Sequence, residues 1–462
     1  MALTKASFSL ITGAVINILD YGAVADYNEN VPGSGTDNSA AIQAAVNAVN
    51  AQTTNGAVYI PAGAYKIESV IDVPYGVSIF GDGGTASILH AEDSDGLNFV
   101  SYGYQIGSMF YEDFGLTAAT GTNRAGVLTE ANASTMDGLY FSRLRFYGWN
   151  QCFVLRANWD CTISECVGQN INQGIDIGSG NGQGLALRIL NNRFVKASGG
   201  LGSASAYGIN LDSSSTFTES IMISFNKIFG FDRNINIEKG YFVNITSNDL
   251  SGPSRVISVV APNGGCNICD NFIEVTGNGT GIYVPSLGTI DLDIRTSIQN
   301  NHFVGTGGGS PAYGIDIGQG GGAYQYDVDI NNNTFTGFVN NDIRIVAGGK
   351  TTISTNHCIS SAPTNSMSID SAISPPIVVE NNYCVKPILL VNAPDYSEGK
   401  IVLNNNVENN FFQSNKQAAA PTTGTWRVTD IVENSAPTIG QPKGWVCTVA
   451  GTPGTWVSIG NL

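Results

Sequence analysis

Apolar and polar positions between residues 189 and 407 follow one repeated pattern: a β-branched residue, two variable positions, an Asn, one variable position and a second apolar residue. The Asn positions are Asn192, Asn226, Asn248, Asn271, Asn301, Asn333, Asn356, Asn382 and Asn405, and three places before them stand Ile189, Ile223, Ile245, Ile268, Ile298, Ile330, Ile353, Val379 and Val402. Two places after come Phe194, Ile228, Leu250, Ile273, Phe303, Phe335, Cys358, Cys384 and Val407. The apolar positions hold in every copy while the residues between them vary, so the pattern serves structure. Successive Asn are 34, 22, 23, 30, 32, 23, 26 and 23 residues apart, a unit of 22 or 23 lengthened at intervals by surface insertions. A fixed period of this size marks a solenoid.

An apolar residue, a bend and a second apolar residue make two short strands that turn a corner and send one side chain each into a shared interior. Asn suits the corner because it tolerates left-handed backbone angles and its amide can bond nearby backbone. Stacked coils then place these amides in a column about 4.8 Å apart, an asparagine ladder inside a parallel β-helix. Cys161, Ile163 and Cys166 fit the same frame one coil earlier, and Phe141, Leu144 and Phe146 fit it in the coil before that. A third strand supplies the remaining wall, as in Gly174-Ile175-Asp176-Ile177, Gly208-Ile209-Asn210-Leu211 and Gly314-Ile315-Asp316-Ile317.

Outside the repeat, Thr36-Asp37 offers a helix N-cap, and Ile42, Ala45, Val46 and Val49 recur at helical spacing. Solenoids need capped ends, so this helix is expected to plug the first coil. The chain divides into an N-terminal neck of residues 1–30, a β-helix of 31–412 and, beyond a polar linker at 413–420, a small β module of 421–462. That module holds Trp426, Trp445 and Trp456, three of the five Trp. They are read first as core and trimer contacts, with glycan binding as the alternative.

Four ordered runs carry a resemblance: Asp20-Tyr21-Gly22-Ala23, Thr36-Asp37-Asn38-Ser39-Ala40-Ala41-Ile42, Val58-Tyr59-Ile60-Pro61-Ala62-Gly63-Ala64-Tyr65 and Gly81-Asp82-Gly83. Together they resemble the opening of pectate-lyase-superfamily β-helix proteins, in particular bacteriophage tailspikes that depolymerise bacterial surface polysaccharide. The segment from Asp20 to Asp37 is longer than the corresponding turn of that pattern. The resemblance implies an all-β, right-handed parallel β-helix, usually a homotrimer on the virion tail that acts outside the bacterial cell. It also implies attachment to the phage tail or baseplate through an N-terminal part. It carries over no catalytic residue.

Only 13% of residues are charged and the net charge is −16, with no run of Lys or Arg. That balance argues against a nucleic-acid groove, which needs phosphate-neutralising cations. No apolar stretch reaches spanning length, so no membrane insertion is expected. Asn17 interrupts the apolar stretch that follows Lys5, which argues against a secretory leader. Of eight Cys, Cys161, Cys166, Cys266, Cys358 and Cys384 fall on inward or ladder positions and read as small core residues. The CxxC of Cys266 and Cys269 lacks a second pair or a nearby His, so no metal or cofactor is expected. Gly178 to Gly184 lacks the spacing of a phosphate loop and reads as a tight coil turn.

The longest insertions fall at 195–207, 212–220, 285–295, 304–312 and 318–327 and are expected to wall a groove over the middle coils. Aligning the third strands by their first inward residue gives one outward row of Asp176, Asn210, Asn236, Ser258, Tyr283, Asp316 and Arg344. The next outward row reads Gly178, Asp212, Glu238, Val260, Pro285, Gly318 and Val346. Asp212 and Glu238 should stand about 5 Å apart at their stems, and Asp176 and Asp212 about 8 Å apart diagonally. These separations bracket the carboxylate pairs of retaining and inverting glycosidases. Such proximity would keep one acid protonated near neutral pH. The plainer alternative is three solvated surface acids. Lys239, Arg255, Tyr283, Asp316 and Arg344 border the same surface as candidate substrate contacts.

The expected activity is endo-cleavage of a capsular or exopolysaccharide by paired carboxylates. A lyase would instead need a base for the proton beside a uronate carboxyl and a cation for the resulting charge. A binding-only adhesin is the third reading.

Overall fold

The computed structural model describes residues 15–462 apart from 53–54, 101–107, 120–123, 130–135, 157, 179–183, 199–205, 213–217, 239, 261, 286–293, 307–309, 319–325, 347–349, 371–376, 392–400, 405, 409–415, 423–425, 427 and 429–430. Three parallel sheets run the length of the coil. Among the described residues, the first wall has 16 strands, from Ile16–Asn17 to Ile401–Asn404; the second has 14, from Gly63–Ile67 to Val407–Glu408; the third has 13, from Ile71–Pro74 to Ile388–Val391. Each turn visits the first, second and third walls in that order, so every strand pairs with its equivalent one turn away. The fold is the parallel β-helix expected from the repeat.

The apolar repeat sets the register. Ile163, Ile189, Ile223, Ile245, Ile268, Ile298, Ile330, Ile353 and Val379 are paired neighbours in the first wall, and all are fully buried. Phe194, Ile228, Leu250, Ile273, Phe303, Phe335, Cys358 and Cys384 form the matching column of the second wall. A slip of one residue in any strand would turn its whole inward set to solvent. Cys266 is buried as the column demands, and Cys269 is half-buried.

Between these two walls runs the ladder. Each amide oxygen accepts from the backbone N–H and the side-chain amide of the Asn one coil earlier, as when Asn248 Oδ1 receives Asn226 N at 2.9 Å and Asn226 Nδ2 at 3.0 Å. Each Nδ2 also donates to a carbonyl one coil earlier, Asn248 to Ile223 O at 2.9 Å. The Cys166 backbone N–H heads the column, donating to Asn192 Oδ1 at 2.9 Å.

Two details differ from the sequence reading. The last rung is Asn406, which accepts from Asn382 N and Nδ2 at 3.1 and 2.9 Å; Asn405 lies outside the described residues. The reason is register: Val379 pairs with Leu403, not Val402, so the rung falls three residues after Leu403. The left-handed residue of the corner is also not the ladder Asn but the one before it. Asn191, Phe225, Ser247, Asp270, Asn300, Asn332, Thr355 and Asn381 have φ of 54–59°. This position accepts residues as ill-suited as Phe225, 60% exposed, because the buried ladder fixes the following residue and carries the backbone strain with it.

The α-helix, Ser39–Asn50, buries Ile42, Ala45, Val46 and Val49 against the first coil, as its spacing predicts. Its N-cap is Asn38, one residue later than expected. Asp37 Oδ1 accepts from Ser39 N at 3.0 Å, while Thr36 is held by Asp26. The C-terminal sheet pairs Lys416–Gln417, Ile431–Asn434, Gly444–Val449 and Thr455–Ser458, the last three antiparallel. Trp426 and Trp456 meet edge to face at 5.0 Å.

Candidate active site

The outward face of the third wall carries the polar rows. Backbone pairing links Asp176 with Asn210, Asn210 with Asn236, Asn236 with Ser258, Ser258 with Tyr283, Tyr283 with Asp316, and Asp316 with Arg344. The alternation of inward Ile and outward polar residue dictates this, because successive side chains of a strand point to opposite faces. The next row follows: Asp212 N donates to Ile177 O at 2.9 Å, and Glu238 N to Leu211 O at 2.8 Å. Asp212 and Glu238 therefore leave equivalent positions of adjacent coils, whose strands lie about 4.8 Å apart.

The acids are embedded in a polar chain rather than facing only one another. Arg156 Nη2 reaches Asp176 Oδ2 at 3.1 Å, and Asn210 Nδ2 donates to Asp176 Oδ1 at 2.8 Å. Asn236 Nδ2 donates to Asn210 Oδ1 at 2.7 Å and to Glu238 Oε1 at 3.2 Å. Arg233 Nη1 donates to Asn236 Oδ1 at 3.2 Å and lies 3.9 Å from Glu238 Oε1. Asp176 is thus a fixed, paired carboxylate, while Glu238 is oriented by the Asn236 amide of the same polar chain.

Further along the axis the face becomes cationic and aromatic. The Arg255 guanidinium sits 3.7 Å over the Tyr283 ring, and Arg344 sits 4.2 Å over Tyr313 while donating to its hydroxyl at 2.9 Å. Arg344 also clamps Asp316 with two bonds of 2.8 Å. The Asp316 side chain is only 2% exposed, and burial pushes its pKa up despite the pull of Arg344. Its bond to Arg344 leaves Asp316 as the anchor that aims the guanidinium. Lys239 and the centres of the five long insertions, including 213–217, 286–293 and 319–325, lie outside the described residues.

Sequence reasoning missed Arg156, Tyr207, Arg233 and Tyr313. A signal for three of them was present: Tyr207, Arg233, Arg255, Thr280 and Tyr313 form another paired outward column, three places before the row that was read. Asp342, also missed, points away from this face. It is fully buried, and no hydrogen bond of normal geometry reaches either carboxyl oxygen. Burial pushes its pKa up to about 7, with the nearby Ser360 and Ser366 pulling the other way. Among the described residues, no group of three or more His, Cys, Asp or Glu is placed to hold a metal.

Several solved structures are similar. The mannuronan C-5 epimerase A-module of Azotobacter vinelandii shares 14% identity over 78% of this chain and 98% of its own, with a TM-score of 0.49. DFA-IIIase of Arthrobacter chlorophenolicus without its lid shares 13% over 85% and 98%, also at 0.49. The catalytic unit of an α-1,3-glucanase from Streptomyces thermodiastaticus shares 15% over 85% and 68%, at 0.42. At these scores the likenesses assign nothing to this chain. No curated protein matches it. The family described as rhamnogalacturonase A/epimerase, pectate lyase-like matches residues 15–250, more than half of the chain, including the helix, the first coils and all three candidate acids, and the protein belongs to that family.

Proposed function

We propose that the protein is an endo-acting polysaccharide depolymerase whose reaction centre is the Asp212 and Glu238 pair on the third wall. The observation that carries this reading is their equivalent placement on adjacent coils, with Glu238 oriented by the Asn236 amide at 3.2 Å. Stems about 4.8 Å apart suit the closer carboxyl spacing, about 5–5.5 Å, of retaining glycosidases. In that scheme Glu238 attacks the anomeric carbon and Asp212 protonates the departing glycosidic oxygen. Asp212 then takes a proton from the water that releases the glycosyl group. Asp176, tied to Arg156 and Asn210, positions the polar chain.

The substrate proposed is a bacterial capsular or exopolysaccharide, and the setting a homotrimeric phage tailspike, on the strength of the N-terminal motifs. The test is oligosaccharide release from a capsule panel by folded Asp212→Asn and Glu238→Gln variants. Each should lose activity by about a thousandfold or more; turnover within tenfold of the parent in both removes this centre. A second reading, β-elimination on a uronate, is favoured by one observation. Arg255 stacked on Tyr283 brings a cation and a phenol together on the same face. Products bearing an ultraviolet-absorbing unsaturated end would select it, and unchanged polymer length with retained binding would select an adhesin.

A further inference from the structure

A separate cavity lies elsewhere, on the outward face of the second wall near its first coils. There Lys66, His90, Thr117 and Tyr147 form one paired column. The chain from Tyr27 to Pro32 roofs the last three, enclosing about 760 Å³. That volume falls within the roughly 300–1,000 Å³ of small-molecule sites. The roof belongs to the segment that is longer than the family's opening pattern. It is also pinned: Tyr27 N donates to Ala64 O at 3.2 Å, Lys66 Nζ to Gly33 O at 3.3 Å, and Asp26 holds Thr36 through two bonds of 2.7 Å.

Inside, the Tyr27 ring stacks on His90 at 4.0 Å with the planes 13° apart. Thr117 Oγ1 lies 2.9 Å from His90 Nδ1, and Glu92 Oε2 lies 3.4 Å from Nε2. Burial pushes the His90 pKa down. A neutral ring in this setting carries its proton on Nε2, toward the carboxylate, and accepts from the threonine. Glu92 Oε2 is shielded from solvent and faces the His90 ring, while 31% of the Glu92 side chain stays exposed. The exposed part of that carboxylate, an acceptor only, favours a ligand that brings a donor. Glu29 adds a second carboxylate to the lining, so an acidic ligand would be repelled. Tyr147, 46% exposed, offers a flat apolar face over a floor of Ala64, Ile88 and Ala118.

We propose that this cavity is a second carbohydrate-binding site, which takes a neutral or amine-bearing pyranoside and holds polymer without cutting it. Hydroxyl or ammonium donors of the sugar meet Glu92, Glu29 and the Asn28 amide, and its C–H face lies on Tyr147. The proposal borrows only the class of ligand from the depolymerase reading, because the cavity and the acid pair lie on different walls.

The test is calorimetric titration of the full chain with cellotriose, chitosan trimer and trigalacturonate. Cellotriose or chitosan trimer should bind, at least tenfold more tightly than trigalacturonate. Glu92→Gln and Tyr147→Ala should each weaken that binding tenfold or more without moving the thermal midpoint. The Asp212→Asn/Glu238→Gln double variant should bind as the parent does, whether or not it still cleaves polymer. A failed depolymerase reading is therefore distinguishable from a failed second site. Absence of binding by both non-acidic trimers, preference for trigalacturonate, or indifference to both cavity substitutions overturns the proposal.

Discussion

Replacing Asn271 by Ala probes the middle of the ladder. Asn271 Nδ2 donates to Ile245 O and Cys269 O at 3.0 Å and to Asn301 Oδ1 at 2.9 Å, while its Oδ1 accepts from Asn248 N and Nδ2 at 2.9 Å. With the side-chain amide gone, position 271 would keep only its backbone bonds, from its N–H to Asn301 Oδ1 and from His302 N to its carbonyl. The buried Asn248 N–H then loses its acceptor, at about 1–3 kcal/mol, and the other broken bonds add roughly 0.5–1.5 kcal/mol each, less what relaxation recovers. A net cost of about 3–5 kcal/mol follows. Denaturant unfolding followed by circular dichroism measures it, with the exposed Asn244→Ala as control, expected within about 0.5 kcal/mol of the parent. Because solenoid coils are coupled mainly to their neighbours, hydrogen exchange should accelerate first around Asn248 and Asn301. Asn271→Asp should be worse than Asn271→Ala at neutral pH, since a carboxylate oxygen would face three acceptors, and should recover partly in acid. If Asn271→Ala loses no more stability than Asn244→Ala, the ladder is not what holds the corners.

Two further outcomes concern buried charge. Arg344→Met strands the Asp316 carboxylate and should destabilise the fold by about 3 kcal/mol, whereas Arg344→Met with Asp316→Leu should recover most of that loss in the same melt. Asp342 has an ordinary value of 3.8 and is pushed up to about 7 in the fold. Between those values the unfolded chain gives up a proton that the folded one keeps, so this group lowers stability as pH rises through the window and is level above it. Asp342→Asn should remove that slope, gaining on the order of a few kcal/mol at pH 8 and little at pH 4. Equal differences from the parent at both pH values would refute it.

The sequence alone determined the winding. Its β-branched and Asn positions recur with a period that only a stacked coil satisfies, and because side chains alternate along a strand, the same positions fixed which residues faced out on the third wall. Asp212 and Glu238 could be placed on adjacent coils for that reason. Tertiary structure decided whatever depends on neighbours from other turns. The slip that makes Asn406 the last rung comes from Val379 choosing Leu403 as its partner. The strained corner fell to Phe225 and its equivalents because the ladder holds the Asn that follows. Whether an outward acid is open or spoken for depends on the coil beside it: Asp316 is clamped by an Arg 28 residues away and Asp176 by one 20 residues away. The cavity at His90 needed a roof from Tyr27, more than sixty positions earlier. Periodicity reports how each turn resembles the last, whereas pairing between unlike side chains depends on distances that no repeat encodes.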